Sequence, residues 1–355
     1  MIKGKKSLEL FERNKQEYET RLGLFRFGFN EYVPHIVQGA YDKLLSNLTA
    51  EQLSSYPEVN IAYDLLSKKL GYDKEFLLFN FGADGCIRMV MEAFCEHGDK
   101  VGLILPTYGL YPCYIQMNGG TVYPIEYDSP FCIDVKKVLG ALDSGLKILC
   151  MANPNGIWGN SINKLLIEEI VANAQKKDVL VVVDEAYADF GVVSFLDLVK
   201  KYDNIIVLRS FSKSYGMAGV RVGFSVANPT LTKWMFKVKP NVEITSVGVE
   251  VIKLYCSEND VFEDAISQIK ASRSKLVLWF KNRNIEVYDT DANFIVFRLQ
   301  VERVTSFLSK CNDFGVELKN IGEGYIRMTV AVGEYLERGL QYIKIALEET
   351  SNGPI

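Results

Sequence analysis

The feature that most constrains the fold is a series of short apolar runs separated by stretches with helical periodicity. The run Val179–Val183 contains four valines and one leucine. A segment that is apolar on both faces is typical of a parallel sheet, in which crossover helices cover both sides. Further strands are predicted at Val101–Leu105, Thr121–Ile125, Leu146–Met151, Ile205–Leu208 and Val220–Val226. Helices are predicted between them at Asn60–Leu70, Asp84–Glu96, Tyr108–Met117, Asp134–Leu142 and Leu165–Lys177. The alternation predicts an α/β fold.

The pattern changes near Lys237–Pro240, where a long helical region begins. This region covers about residues 243–283 and is predicted to break near residues 258–260. Shorter elements follow, with strands at Ile285–Tyr288, Phe294–Leu299 and Tyr325–Thr329 and helices at Val301–Asp313 and Glu334–Glu348. A chain of 355 residues exceeds what one core usually organises. We therefore expect an N-terminal arm at 1–32 with a polar helix around Ser7–Tyr18, a large α/β domain at 33–242 and a small α+β domain at 243–355.

The composition narrows the classes of function. A net charge of −4 argues against nucleic acid or an acidic membrane surface as the main partner, and no apolar run is long enough to cross a bilayer. The seven cysteines are scattered without a CxxC pair, which is typical of reduced thiols in the cytoplasm. Two histidines cannot build a multi-histidine metal site, so we expect no metal.

Reactive side chains follow the ends of two successive predicted strands. Asp184 and Tyr187 come directly after the valine-rich strand, and Lys213 follows the next strand along the chain. Arg221 stands eight residues beyond that lysine. Ligands of an open α/β sheet bind at the carboxyl ends of its strands. We therefore expect these side chains to meet in one ligand site.

The set matches the chemical needs of pyridoxal 5′-phosphate. The aldehyde of this cofactor requires a primary amine, which Lys213 supplies, and its pyridine nitrogen works as an electron sink when a carboxylate such as Asp184 keeps it protonated. The phosphate requires hydroxyls, a guanidinium and free N–H groups at a helix N-terminus. These are predicted from Ser210, Ser212, Arg221, Ala83 and Asp84. Each residue alone has an ordinary explanation as a cap, a solvated turn or a surface ion pair, but their joint occurrence favours the cofactor.

At these positions the sequence resembles the fold-type I enzymes that use pyridoxal phosphate, the class I/II aminotransferases. It is most similar to their subgroup of histidinol-phosphate aminotransferases and threonine-phosphate decarboxylases. The matching segments are Asp184–Tyr187 and Ser210–Gly223, with weaker matches at Asn30–Glu31, Gly82–Asp84, Pro106–Tyr108 and Tyr325–Thr329. The resemblance implies a PLP-transferase fold of type I, with a mainly parallel seven-stranded sheet in the large domain. The small domain would combine the C-terminal part with the N-terminal arm.

The resemblance also implies a role for each matching residue around the cofactor. Lys213 would carry the cofactor as a Schiff base and move the proton between the substrate Cα and cofactor C4′. Asp184 would pair with the pyridinium, and Tyr187 would hydrogen-bond the phenolic oxygen. Tyr108 would stack on the ring, with a core tyrosine at a strand end as its alternative. The phosphate would lie on Ser210, Ser212, Arg221 and the backbone of Ala83 and Asp84.

Three further matches concern the substrate and the assembly. Arg327 resembles the arginine that grips a substrate carboxylate, although an exposed strand arginine is an alternative. Asn30 resembles a substrate-side asparagine. Tyr56 resembles the tyrosine that reaches the phosphate of a neighbouring subunit, which implies a homodimer with shared active sites. A surface tyrosine before a turn proline is the competing interpretation of Tyr56.

The sequence departs from the family pattern at three positions. Gly156 stands where these families carry an asparagine that bonds the phenolic oxygen, so this hydrogen bond is either lost or taken over by Asn155. Gly85 stands where the phosphate loop often carries an acidic residue. Lys319 aligns with a second substrate-binding arginine and keeps its charge without the planar fork.

Two activities fit this pattern. The first is an aminotransferase that uses an amino acid donor such as glutamate and acts on a small amino or keto compound with a phosphate group. The second is a lyase that decarboxylates serine phosphate or threonine phosphate. Gly156 favours the lyase slightly because it departs from the usual transaminase site. The sequence alone leaves both hypotheses open.

Overall fold

The computed structural model describes residues 7–8, 21–32 and 37–351. Most of the predicted polar helix around Ser7–Tyr18 lies outside these residues. The strands of the described chain are β1 Phe25–Arg26, β2 Leu77–Asn80, β3 Lys100–Leu105, β4 Thr121–Glu126, β5 Ile148–Ala152, β6 Leu180–Asp184, β7 Ile205–Ser210, β8 Gly223–Ala227, β9 Glu286–Tyr288, β10 Phe294–Arg298, β11 Val316–Glu317, β12 Lys319–Gly322 and β13 Tyr325–Thr329. The α-helices are α1 Gln38–Asn47, α2 Ala50–Ser54, α3 Val59–Leu70, α4 Gly82–Phe94, α5 Leu110–Met117, α6 Val135–Ala141, α7 Lys164–Gln175, α8 Pro229–Phe236, α9 Ser246–Ser257, α10 Asn259–Lys281, α11 Val301–Asp313 and α12 Gly333–Ser351.

The largest sheet of the described chain has seven strands in the order β2-β8-β7-β6-β5-β3-β4. All neighbours from β4 to β7 are parallel, whereas β8 runs antiparallel to both β7 and β2. Every residue of β6 is buried, as its continuous apolar sequence requires when helices cover both faces. The prediction of a mainly parallel seven-stranded sheet flanked by helices is confirmed.

Two elements of this sheet differ from the predicted ones. Strand β2 is missing from the predicted strands, because four residues between a turn and a helix are too few to establish a period. Strand β8 begins at Gly223 rather than at Val220. The delay arises because Arg221 takes a left-handed conformation with φ of 60°, which strand pairing does not permit.

The C-terminal part of the described chain forms a separate antiparallel sheet in the order β12-β13-β10-β9. Helices α9 and α10 meet at Glu258, where the sequence predicts the break. The short strands β11 and β12 are not among the predicted elements. Strand β1 pairs with β11, so the segment near Phe25 joins the C-terminal elements. The domain boundaries at residues 32 and 242 stay a prediction.

The sheet register brings several strand ends to one edge. Gly223, the first residue of β8, lies opposite both Asn80 at the end of β2 and Ser210 at the end of β7. Asp184 ends β6 at the same edge, beside Leu208 of β7. Because β8 runs antiparallel, its first residue rather than its last reaches this edge. The fold therefore gathers the loops that follow β2, β6 and β7 with the turn that precedes β8.

Candidate active site

A cavity of about 400 Å³ opens at this edge of the sheet. It contains most of the residues predicted from the sequence. Those that line it are Asn30, Ala83, Asp84, Tyr108, Asp184, Tyr187, Ser210, Ser212, Lys213, Arg221 and Arg327. In the part of the chain that the structure describes, no cluster of three or more histidine, cysteine or acidic side chains has the arrangement of a metal site, and no helix is long and apolar enough to cross a membrane.

Lys213 lies in the loop after β7 and extends its amine into the cavity. Its Nζ donates a hydrogen bond of 2.9 Å to the carbonyl of Phe29. The same nitrogen lies 5.7 Å from the centre of the Tyr187 ring. The amine is thus held at the junction of the sheet edge and the N-terminal segment, where a ligand in the cavity can reach it.

Asp184 provides a buried acid at the end of β6. Only 7% of the residue is exposed, and burial raises the pKa of its carboxyl to about 6. Its oxygens accept hydrogen bonds from the backbone N–H of Ala186 at 3.0 Å and from the hydroxyl of Tyr111 at 3.3 Å. A carboxylate that is buried to this degree is stabilised by a cation in contact with it, which a protonated pyridine nitrogen would be.

The anion cradle combines hydroxyls, a guanidinium and a helix N-terminus. Ser210 and Ser212 are buried beside Arg221, whose Nη1 lies 3.4 Å from the Ser212 hydroxyl. Helix α4 begins at Gly82, whose φ of +76° is accessible to glycine at little cost. A Cβ at Gly223 would lie 2.5 Å from the carbonyl carbon of Gly82. The absence of that side chain lets the start of α4 lie against β8, where Ala83 and Asp84 line the cavity. The first N–H groups of a helix have no partner within the helix and can bind an anion.

Arg327 lies across the cavity on β13 and is 8% exposed. It donates hydrogen bonds to the carbonyls of Gly156 at 2.6 Å and Gly28 at 2.8 Å. Burial lowers the pKa of Arg327. Among the described residues, no carboxylate forms an ion pair with this guanidinium. A buried cation held only by carbonyl groups is suited to bind an anionic group of a ligand.

Asn30 joins the N-terminal segment to the cavity. Its φ is 56°, a left-handed conformation that asparagine adopts more readily than most residues. The backbone is held by Thr329 Oγ1, which accepts from its N–H, and by Asn293 Nδ2, which donates to its carbonyl. The side-chain Nδ2 donates to the hydroxyl of Tyr187 at 2.9 Å. Asn30 therefore contacts a predicted cofactor-binding residue as well as the cavity.

Three predicted residues do not line the cavity. Asn155 is buried in its own turn, where Nδ2 donates to Pro106 and Oδ1 accepts from the N–H groups of Ile157 and Trp158. Since both ends of its amide are engaged, the structure gives no support to Asn155 as the substitute for the missing asparagine. Lys319 is exposed on β12, opposite Arg327 in the register but outside the cavity. Tyr56 is 86% exposed and also lies outside it.

The departure from the family pattern at Gly85 has a local explanation. A Cβ at Gly85 would lie 2.4 Å from Oδ1 of Asn80. That oxygen already accepts a hydrogen bond from the N–H of Phe81. The asparagine at the end of β2 therefore fills the space that a side chain at position 85 would need.

Sequence reasoning missed two contacts of the site. Tyr111 bonds Asp184 from helix α5, and its position one helical turn after Tyr108 was the available signal. The Phe29 carbonyl accepts from Lys213, and its only signal was its place next to Asn30. Backbone carbonyls carry no sequence information, so the second contact requires the tertiary structure.

The residues around the cavity fit pyridoxal 5′-phosphate. A lysine amine, a buried acid and an anion cradle line one cavity. A Cβ at Gly223 would disturb the cradle, because it would overlap the start of α4. This donor set contains each group that the aldehyde, the ring nitrogen and the phosphate require.

Comparison with known proteins gives concordant results. Residues 25–334 match the model of the family described as aminotransferase class I and II. The chain is 27% identical to a histidinol-phosphate aminotransferase of Clostridium novyi (strain NT), over 93% of this chain and 92% of that protein. It is 32% identical to histidinol-phosphate aminotransferase 1 of Trichormus variabilis, over 71% of each chain.

A similar fold occurs in the crystal structure of histidinol-phosphate aminotransferase from Sinorhizobium meliloti in complex with pyridoxal 5′-phosphate. The TM-score is 0.79 at 18% identity, and the match covers 91% of this chain and 90% of that one. The predictions of a fold-type I enzyme and of pyridoxal 5′-phosphate as its cofactor are confirmed by the family match. The chain belongs to the aminotransferase class I and II family.

Proposed function

We propose that this protein transfers an amino group between an amino acid donor such as glutamate and a small phosphorylated keto or aldehyde compound. The relatives named as histidinol-phosphate aminotransferases support this substrate class. The observation that carries the proposal is the position of Arg327. This buried guanidinium has no acidic partner among the described residues and lines the same cavity as Lys213.

Each side chain of the cavity has a defined task in such a reaction. Pyridoxal 5′-phosphate, when bound, supplies an electron sink for the carbanion that forms at the substrate Cα. Lys213 holds the cofactor and then, as a free amine, moves the proton at that carbon. Asp184 would keep the ring nitrogen protonated. Tyr187 donates a hydrogen bond to the phenolic oxygen.

The anion-binding groups determine how the ligands are oriented. Ser210, Ser212, Arg221 and the N–H groups of Ala83 and Asp84 hold the cofactor phosphate. Tyr108, which is 45% exposed at the cavity, covers the ring face. Arg327 would bind a substrate anion across the cavity and so would determine which bond at the substrate Cα reacts. Asn30 lines the substrate side, and Lys319 attracts the phosphorylated substrate from outside the cavity.

The proposal extends to the assembly. A homodimer would cover Tyr56, whose exposed ring stands beside Pro57 on the surface. In that assembly Tyr56 contributes to the cofactor phosphate site of the partner subunit. A cytoplasmic location agrees with the seven cysteines, all of which are free thiols.

Decarboxylation of serine phosphate or threonine phosphate is the alternative. The observation that favours it is Gly156, where the usual amide beside the phenolic oxygen is absent. The space is not refilled by Asn155, because both ends of that amide are engaged elsewhere. A changed hydrogen bond at this oxygen alters the electronic properties on which transamination depends.

One experiment separates the two activities. The holoenzyme is mixed with glutamate and, in parallel, with serine phosphate or threonine phosphate, while the visible spectrum and released carbon dioxide are followed. Loss of the visible band with glutamate supports transamination, whereas carbon dioxide release with an unchanged band supports the lyase. Borohydride reduction followed by peptide mapping tests the site itself. An adduct at any residue other than Lys213, or its persistence in Lys213→Arg, contradicts the proposed function.

A further inference from the structure

The position of Asn30 explains how the site can function without the amide that Gly156 lacks. A Cβ at Gly156 would lie 3.3 Å from Cε2 of Tyr187 and 3.8 Å from its hydroxyl. A side chain at position 156 would therefore lie directly beside this tyrosine. Its absence leaves Tyr187 as the predicted side-chain donor to the phenolic oxygen of the cofactor.

Asn30 approaches the same hydroxyl from the other side. Its Nδ2 donates to the Tyr187 oxygen at 2.9 Å. A hydroxyl has one proton to donate. Since the oxygen already accepts from Asn30, the proton must point away from that amide. Within the described residues, no protein acceptor takes it, so it is available for a ligand in the cavity.

Asn30 is buried, and both polar groups of its backbone are hydrogen-bonded. The residue is 1% exposed. Its N–H donates to Thr329 Oγ1 at 2.9 Å, and its carbonyl accepts from Asn293 Nδ2 at 3.1 Å. Thr329 Oγ1 donates to the Phe27 carbonyl at 2.8 Å and lies 3.2 Å from Asn30 Oδ1. The amide of Asn30 presents its nitrogen to Tyr187.

We propose that Asn30 is a positioning residue, which directs the Tyr187 hydroxyl proton toward the phenolic oxygen of the cofactor and so replaces the orienting contribution absent at Gly156. The inference rests on the proposed function, because it requires the cofactor to lie on Lys213. Asn30 then acts through Tyr187, in addition to lining the substrate side. This role explains why the polar side chain of Asn30 is buried, although its removal from water costs free energy.

The direction of the effect follows from the charge on the phenolic oxygen. A hydrogen bond to this oxygen stabilises the form in which it carries a full negative charge, and that form has lost the proton of the Schiff-base nitrogen. The hydrogen bond thus lowers the midpoint pH at which the visible spectrum changes. A weaker hydrogen bond raises this midpoint pH. The charged side chains that line the cavity with Tyr187 are Glu31, Asp84, Asp184, Lys213, Arg221 and Arg327, and all stay unchanged in the variants below.

The test is a pH titration of the visible band in Asn30→Gly. Glycine tolerates the φ of 56° at position 30 and keeps both backbone hydrogen bonds. We expect the midpoint to rise by roughly half a unit to one unit, the size of one weakened neutral hydrogen bond. The same substitution in a Tyr187→Phe background should produce no further rise, because the hydroxyl through which Asn30 acts is gone.

A restoring substitution gives a second measurement. Gly156 has no left-handed φ, so Asn30→Gly with Gly156→Asn places an amide beside Tyr187 at a compatible backbone position. The midpoint should return toward that of the native protein. An unchanged or lowered midpoint in Asn30→Gly, or an equal rise in the Tyr187→Phe background, overturns the inference. A native protein without a borohydride-reducible band on Lys213 contradicts the proposed function instead, so the two failures are distinguishable.

Discussion

Replacing Asp184 by asparagine tests two effects of its charge. The first is the effect on cofactor binding, and the second is the effect on the stability of the cofactor-free protein. The amide keeps the shape of the carboxylate and can accept from the Ala186 N–H while donating to the Tyr111 oxygen. It removes the charge and reverses the direction of the hydrogen bond with Tyr111, whose hydroxyl donates to the native carboxylate. The variant therefore tests whether an ionised acid is held in a buried position for the benefit of a bound cation.

The magnitude follows from the pKa of the buried carboxyl. Burial raises the pKa of Asp184 from 3.8 to about 6, and each unit corresponds to about 1.36 kcal/mol. Below pH 3.8 the carboxyl is protonated in both states and costs nothing. Between pH 3.8 and 6 the folded protein retains a proton that the unfolded chain has lost, so the free energy of unfolding falls as pH rises. Above pH 6 the full cost is about 3 kcal/mol.

The assay is thermal unfolding of the cofactor-free protein at pH 5 and pH 8. At pH 8, Asp184→Asn should be more stable than the native protein by up to about 3 kcal/mol, which is roughly 4 °C in Tm for a chain of this length; the lost acceptor of the Tyr111 hydroxyl offsets part of this gain. At pH 5 about half of this difference should be present. The same variant should bind the cofactor roughly ten- to a hundredfold more weakly, because a charge-assisted hydrogen bond is lost.

An exposed carboxylate serves as the control. Asp73 lies on the surface, so Asp73→Asn should change neither the Tm difference between the two pH values nor cofactor affinity. If cofactor-free Asp184→Asn is as stable as the native protein at pH 8, or less stable, the buried charge of Asp184 does not destabilise the folded protein. That result would contradict the prediction.

Two further predictions concern the two anion sites. Arg327→Lys should lower kcat/KM for a carboxylate donor roughly ten- to a hundredfold through loss of the planar fork, whereas Lys319→Ala should raise KM by no more than about twofold, since this side chain lies outside the cavity. Steady-state kinetics with glutamate checks both, and equal effects would contradict the distinction. Gly223→Ala should weaken cofactor binding at least roughly tenfold and lower the Tm, because its Cβ would lie 2.6 Å from the Ala83 nitrogen. Cofactor titration checks this, and native affinity would show that the start of α4 can move without loss.

The sequence by itself determined most strands of the large sheet, although not β2, and the chemistry at the edge of this sheet. Apolar runs such as Val179–Val183 report burial on both faces directly, because every residue in them avoids water. Asp184 ends one parallel strand and Lys213 follows the next, and strand direction then requires them to meet at one edge. Arg221 belongs with them through its place in the matching segment. These are local signals, and the structure brings all three residues together.

Only the tertiary structure decided the contacts between distant segments. Asn30 reaches Tyr187 across 157 residues of sequence, and nothing local to either residue specifies that hydrogen bond. The engagement of Asn155 with its own turn and the isolation of Lys319 from the cavity likewise depend on packing. Register and packing determine the position of a side chain to within ångströms. A sequence pattern specifies only the face of a helix or strand on which the side chain lies.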